Sequence, residues 1–273
     1  MHVLRLAAFS HGVSGGNPAG VVLVDTLPTP DAMQRIAAEV GYSETAFAMP
    51  QGDGWRVRYF SPEAEVPFCG HATIALGAAL AMRQGDGAFA LALNDIRISV
   101  EGTSESAALQ SPPTHSAPCG GARIEAALGL FGLAHGDLDL RIPPATIHAG
   151  ADHLVLMLKD RATLAAMAYD FERGRRLMRA EGWITVLLGW SEAPQRFVTR
   201  NAFAYGGVYE DPATGASTAA LAGYLRDLAW PHDGSVVVSQ GDDMGVPSRI
   251  RADIPSRPGS AIRVSGSVRT IDV

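Results

Sequence analysis

The groups in this chain best suited to moving a proton are two carboxylates, one imidazole and a pair of glycine-containing turns. Glu44 lies in Tyr42-Ser43-Glu44-Thr45-Ala46-Phe47, where an apolar run opens. A carboxylate at the rim of an apolar cleft can take and return a proton near neutral pH, and a solvated strand end is the other reading of the same residue. Asp211 lies in Glu210-Asp211-Pro212-Ala213-Thr214-Gly215. Asp-Pro opens a turn, so Asp211 reads either as a turn residue or as a second carboxylate facing Glu44, with Glu210 the neighbouring alternative. His71 follows Cys69-Gly70 in the first turn of an otherwise apolar segment. An imidazole there can donate or accept a proton, or it can be a hydrogen-bonded residue at a lobe edge.

Two helix starts carry glycine: Cys69-Gly70-His71 and Thr214-Gly215-Ala216. Glycine admits a ligand close to the backbone, and the free N–H groups of a helix start favour an anion. Two such starts facing one cleft suit a carboxylate or an enolate-like charge, while ordinary capping, with Thr214 as N-cap, is the plainer reading. Asn17, in Gly15-Gly16-Asn17-Pro18, is either a turn residue or an amide in the cleft. Asp152 and His153 precede a strand and are placed to line the cleft from the second half. A racemase with two thiol bases needs a thiol at both helix starts. Thr214 occupies the second, and Cys119 falls elsewhere, so Cys69 reads as a small buried residue. His115, His135, His148 and His232 show no ligand spacing and there is no Cys-x-x-Cys, so no metal site is expected. The chain also lacks a Gly-rich dinucleotide motif and a P-loop.

The elements that must position these residues are repeated. CGHATIALGAAL (69–80) and TGASTAALAGYL (214–225) align with Gly70 on Gly215, where Gly, Thr, Ala, Leu and Leu coincide. GNPAGVVLVD (16–25) resembles GADHLVLMLKD (150–160), a Gly-polar turn before an apolar strand ending in Asp. Helical patterns follow at 31–41 and 170–182, then strands at 44–49 and 183–189. The chain reads as two fused copies of one fold. The segments 72–82 and 217–230 are apolar nearly all round, apart from Arg226 and Asp227 near the end of the second. A soluble helix of that kind must be enclosed. Short strands surround both, at 55–60, 96–101 and 235–240. The expected fold is α+β, with two pseudo-symmetric lobes, each a curved, barrel-like sheet wrapped around a central apolar helix. The Pro/Gly/Ser-dense stretch 111–121 is the expected linker, which divides the chain into lobes 1–112 and 113–260. The tail 261–273 alternates as a strand and can return to the first lobe or stay with the second.

The totals agree with two domains. The chain has 273 residues, 47% hydrophobic and 18% charged, which is a folded composition. A formal net charge of -6 without a Lys/Arg run gives nucleic acid no electrostatic footing. Met1-His2-Val3-Leu4-Arg5 lacks a signal-peptide layout and no long apolar stretch occurs, so a cytoplasmic protein without a membrane span is expected.

Taken together, GGNPAGVVL (15–23), YSETAFAM (42–49), RYFSPEAEVPFCGHATIALG (58–77) and VYEDPATGASTAALAGYL (208–225) resemble the PhzF-like (phenazine-biosynthesis) family in order and spacing across both halves. The resemblance implies a diaminopimelate-epimerase-like fold, usually a homodimer, with the active site between the lobes. It implies proton transfer without a cofactor, of the type that isomerises trans-2,3-dihydro-3-hydroxyanthranilate. By motif the base falls on Glu44, assisted by His71 and Asp211, while Ser43, Gly70, Gly215, Ala216 and Asn17 line the substrate site. Two departures from the family pattern stand in the second half: Thr214-Gly215-Ala216 in place of Thr-Gly-Ser, and Phe203-Ala204-Tyr205 in place of Phe-Ala-Pro. The implied substrate is therefore a small cyclic carboxylate of that type or a related one. An epimerase on the same fold, and a silent small-ligand-binding homologue, are the alternatives.

Overall fold

The computed structural model describes residues 1–272 and divides the chain into two units, residues 1–110 with the tail from Ser265, and Ser111–Val264. The first unit begins with β1 (Leu4–Ser10), β2 (Asn17–Leu23), α1 (Pro30–Val40), β3 (Glu44–Gln51), β4 (Gly54–Phe60) and β5 (Glu65–Val66). It continues through α2 (Gly70–Gln84), β6 (Gly87–Ala92), β7 (Arg97–Thr103) and β8 (Ser106–Gln110). α1 starts where Thr29 accepts a hydrogen bond from the Ala32 N–H, with Pro30 and Asp31 in its first turn, and ends at left-handed Gly41. Its apolar stripe, Met33 and Ala37, packs on Val22, Phe47 and Phe60.

α2 is the core of this unit. Every residue from His71 to Ala81 is buried. Small side chains let strands press onto the helix backbone: a Cβ at Gly102 on β7 would run into the Gly77 carbonyl. Fully burying Ile74, Leu76 and Leu80 contributes about 1.5–3 kcal/mol each.

The second unit comprises β9 (His115–Pro118), α3 (Gly121–Phe131), β10 (Ala145–His148), β11 (Asp152–Leu158), α4 (Arg161–Ala165) and α5 (Phe171–Glu181). Then follow β12 (Thr185–Ala193), β13 (Arg196–Ala202), β14 (Glu210–Asp211), α6 (Gly215–Asp227), β15 (Ser235–Gln240) and β16 (Ser248–Asp253). The stretch expected as a linker thus holds a strand, because β9 pairs antiparallel with β10. α6 is buried from Ser217 to Arg226. α3 and α5 contribute Leu128, Leu130 and Met178 to a cluster with Leu154, Leu156 and Trp183.

The duplication shows in the pairing sense. In the first unit β1–β2 is antiparallel, β2–β3 parallel, β3–β4 and β4–β5 antiparallel, β4–β6 parallel and β6–β7 antiparallel. In the second unit β10–β11, β11–β12, β12–β13, β13–β14, β13–β15 and β15–β16 repeat that series in order. The final strand, β17 (Arg263–Thr270), joins the first unit from Ser265 onward. It pairs antiparallel with β1, Leu6 opposite Thr270, and also with β8, which closes the ring β17-β1-β2-β3-β4-β6-β7-β8 around α2. Val273, the last residue of the expected returning tail, lies outside the described residues. The fold is α+β, each unit a curved sheet around a central apolar helix. Among the described residues no helix is long and apolar enough to cross a membrane.

Candidate active site

In the first unit the chemistry gathers where β3 and α2 begin. The parallel register sets Ala19 of β2 beside Glu44, so Asn17, two residues earlier and only 2% exposed, belongs to the same strand ends. Cys69 is the N-cap of α2 and makes no side-chain cap bond. The first helical bond runs from Thr73 N–H to the Cys69 carbonyl at 3.0 Å, and the N–H groups of Gly70, His71 and Ala72 precede it. A Cβ at Gly70 would meet nothing within 4 Å, so this side of the helix start is open.

His71 is 8% exposed and has partners on both ring nitrogens. Its Nδ1 lies 3.3 Å from Cys69 Sγ. Its Nε2 lies 3.3 Å from Ser43 Oγ and 3.4 Å from Glu44 Oε2. The contact with Glu44 lacks hydrogen-bond geometry, which leaves Oε2 buried without a bonded partner. The Glu44 side chain is 19% exposed, and that exposure therefore falls on its other atoms. An acceptor buried in this way is costly in stability.

A second layer holds this cluster. Thr73 Oγ1 donates to the Cys69 carbonyl at 2.7 Å and accepts from Tyr59 O–H at 2.7 Å. Burial drives the Tyr59 phenol well above its ordinary pKa, so it remains a neutral donor. Arg58 grips Glu65 with two bonds, Nε–Oε1 at 2.8 Å and Nη2–Oε2 at 2.5 Å. Those bonds hold the Glu65 carboxyl below the usual range and fix β4 to β5 just before α2.

In the second unit Asp211 closes β14, and Gly215 and Ala216 open α6. Thr214 occupies the N-cap position but does not cap: its hydroxyl donates to Asp211 Oδ2 at 2.5 Å. The carboxylate three residues back captures the hydroxyl that capping would use. Gln240 Nε2 donates to the Asp211 carbonyl at 2.7 Å and to Thr214 Oγ1 at 3.0 Å. Its Oε1 accepts from Thr214 N–H at 3.1 Å. Ser217, the hydroxyl one place beyond Ala216, is fully buried and bonds the Thr214 carbonyl at 3.2 Å. Its hydroxyl turns back into the helix and so does not stand in for the serine that Ala216 replaces.

Glu210 is not an available base. It binds Arg200 by Nε–Oε1 at 2.9 Å and Nη2–Oε2 at 2.5 Å, and its side chain is 4% exposed. Of the two candidate carboxylates, Glu210 is thus committed to an ion pair. His153 is fixed too. Its Nδ1 donates to Thr185 Oγ1 at 2.8 Å, and Thr185 donates to Asn201 Oδ1 at 3.1 Å. Burial pushes the His153 imidazole down to about 3, partly offset by the nearby charge of Asp152, so it stays neutral.

The structure brings Ser43, Glu44, Gly70 and His71 together at one helix start, with Asn17 at the neighbouring strand end. Asp211, Gly215 and Ala216 meet at the other helix start. Sequence reading passed over the contact of Cys69 with His71 and the hold of Gln240 on Asp211 and Thr214. A signal for Gln240 was present: in SVVVSQ it shares a face with Val236 and Val238, so the alternation carries a polar amide into the core.

The sequence matches the family described as phenazine biosynthesis-like protein over residues 6–271. It is 33% identical to an uncharacterised isomerase of Deinococcus radiodurans over 96% of this chain and 90% of that one. It is 32% identical to trans-2,3-dihydro-3-hydroxyanthranilate isomerase of Pseudomonas aeruginosa over 95% of this chain and 93% of that one. The fold matches that of the Bacillus anthracis phenazine biosynthesis protein of the PhzF family with a TM-score of 0.86 at 21% identity, covering 99% of this chain and 96% of that one.

Proposed function

The chain belongs to the phenazine biosynthesis-like family and is an isomerase, and from that premise we propose that it moves a proton between carbons of a small cyclic carboxylate, with Glu44 as the acid–base group. The observation that carries this reading is the Glu44–His71 contact: a carboxylate oxygen buried 3.4 Å from an imidazole nitrogen and committed to no hydrogen bond. In the reaction, Glu44 takes a proton from a carbon next to an activating group. The electron pair left behind spreads into an enolate-like anion. The protonated Glu44, whose side chain is 19% exposed and so exchanges its proton with solvent, then delivers a proton to a different carbon, so no group is gained or lost.

His71 sets the position of Glu44 through Nε2, while Cys69 and Ser43 fix the ring. The N–H groups at the start of α2 suit the developing negative charge. Asp211, held in one pose by Thr214, helps to polarise the substrate and steady its charge, with Gly215 and Ala216 flanking it. Asn17 serves as a binding amide. The substrate class extends from the dihydro-hydroxyanthranilate of the P. aeruginosa relative to related ring carboxylates.

The test is incubation in heavy water with 2,3-dihydro-3-hydroxyanthranilate and a panel of small amino and hydroxy carboxylates, followed by proton NMR. Deuterium entry that disappears in Glu44→Gln supports the reading. Deuterium entry unchanged in that variant sinks it. Inversion at the labelled carbon, without migration of the double bond, assigns the chain as an epimerase instead.

A further inference from the structure

Away from both helix starts, three neighbouring strands of the second unit carry a row of metal-type donors. β9, β10 and β11 run antiparallel in sequence, with His115 directly opposite His148 and His148 directly opposite Asp152. Residues directly opposite in a ladder project from the same face, so the three side chains stand side by side. One donor atom from each lies within 4.8 Å of the other two. The imidazoles of His115 and His148 stack, with centroids 4.2 Å apart and an interplanar angle of 22°. His148 Nδ1 meets Asp152 Oδ1 at 2.6 Å.

The scaffold beneath them is stiff. The turn joining β10 to β11 contains Gly150 at φ +94°, a left-handed conformation, and a Cβ there would strike Pro112 Cγ at 2.9 Å. His148 and Asp152 are therefore set by a turn of fixed shape. His115 is exposed, and the side chains of His148 and Asp152 keep 27% and 47% of their surface in solvent. An ion has an approach, and solvent can complete its coordination.

We propose that His115, His148 and Asp152 form a chelating site for a divalent transition metal of the zinc class. Two imidazoles and one carboxylate are borderline donors, which suit zinc, cobalt or nickel better than the all-oxygen shells of calcium or magnesium. Tetrahedral zinc with bonds of about 2.0–2.1 Å sets its donors roughly 3.4 Å apart, so rotations of the exposed His115 and Asp152 side chains close the set. The metal enters between His148 Nδ1 and Asp152 Oδ1, which now meet each other directly. Bound there, it staples three strands that include the segment where the chain enters the second unit.

The first unit offers a competing set, since Glu44, Cys69 and His71 also have donor atoms within 4.8 Å of one another. The experiment separates the two. Tag-free full-length protein, stripped by a chelator and dialysed, is titrated with zinc sulfate by calorimetry and with cobalt(II) by its visible absorption. The expected result is one saturable equivalent with nitrogen and oxygen ligation, weakened at least about tenfold in His115→Gln and in Asp152→Asn, and unchanged in His71→Asn. Both conservative substitutions lie at exposed or half-exposed positions. Thermal unfolding without metal shows that they fold, and added zinc raises the Tm of the parent and of His71→Asn more than that of His115→Gln or Asp152→Asn. No saturable binding by the parent overturns the proposal. So does binding that survives both substitutions, or binding lost only in His71→Asn.

Discussion

At the start of α2 the N-cap residue Cys69 leaves its thiol against His71, whereas at the start of α6 the N-cap residue Thr214 gives its hydroxyl hydrogen to Asp211. The strand register extends the comparison. With Gly16 set on Gly150, Ala19 of β2 corresponds to His153 of β11, and their parallel neighbours Glu44 and Thr185 correspond in turn. One copy therefore has a buried carboxylate oxygen with no hydrogen bond where the other has a hydroxyl bonded on both sides. The second copy has unpaired buried atoms as well, His153 Nε2, Arg161 Nη1, Thr199 Oγ1, Asn201 Nδ2 and Thr218 Oγ1, but none of these is a carboxylate oxygen. Both copies keep the same strut, an arginine on the central strand gripping a glutamate on the short one: Arg58–Glu65 and Arg200–Glu210. Duplication has preserved pairing and struts while the polar chemistry diverged. The first copy keeps a buried carboxylate oxygen outside any hydrogen bond, and the second holds its carboxylate in place.

The comparison can be broken most directly at its reactive end. Glu44→Gln lowers deuterium exchange into substrate by about 10²–10⁴-fold, while Thr185→Val at the corresponding position leaves the exchange rate near that of the parent. Equal losses in the two variants would remove the distinction. The struts are tested by urea unfolding. Glu210→Gln strands a buried guanidinium and destabilises by about 3–5 kcal/mol, whereas Glu65→Gln, in the more exposed pair, loses about 1 kcal/mol. The hold on Asp211 is tested by Thr214→Val, which removes a hydrogen bond to a charged group worth about 1.5 kcal/mol, roughly a tenfold fall in turnover. Thr214→Ser restores it. The smallest effect at mild pH belongs to His153. Its ordinary value is 6.5 and its folded value about 3, so below 6.5 the unfolded chain binds the proton first. Stability is complete above 6.5 and falls as pH drops towards 3, with a loss of roughly 1 kcal/mol by pH 5.5. The slope flattens in His153→Gln, measured by urea unfolding across that window.

Much of the fold was legible because the signals are local or periodic. Two all-round apolar segments required enclosure, and both are central helices. Thr29-Pro30-Asp31 and Gly41 mark the ends of α1 in the residues themselves. Glu44 and His71 were visible because each is a polar group at the edge of an apolar run. What escaped is what strands bring together from afar. His115 and His148 have no ligand spacing along the chain, yet antiparallel pairing sets them face to face. The Arg58–Glu65 and Arg200–Glu210 grips depend on register in the same way. Thr214 looked like a cap because capping residues are identified by type, and type does not report that a nearby carboxylate competes for the same hydroxyl. The stretch 111–121 looked like a spacer for its prolines, but Pro118 sits at the end of β9, where a missing N–H matters least.

The late arrival of β17 has a consequence for how the molecule is made. The ring around α2 lacks its strand between β1 and β8 until Ser265–Thr270 leave the ribosome. Everything needed for the helix core of the second unit has emerged by then. The half synthesised first is thus the half completed last, and its apolar helix waits with one flank uncovered while the rest of the chain is translated. Translation order and folding order run in opposite directions here, and a ribosome that stalls before Ser265 leaves an unsealed core for chaperones to shield.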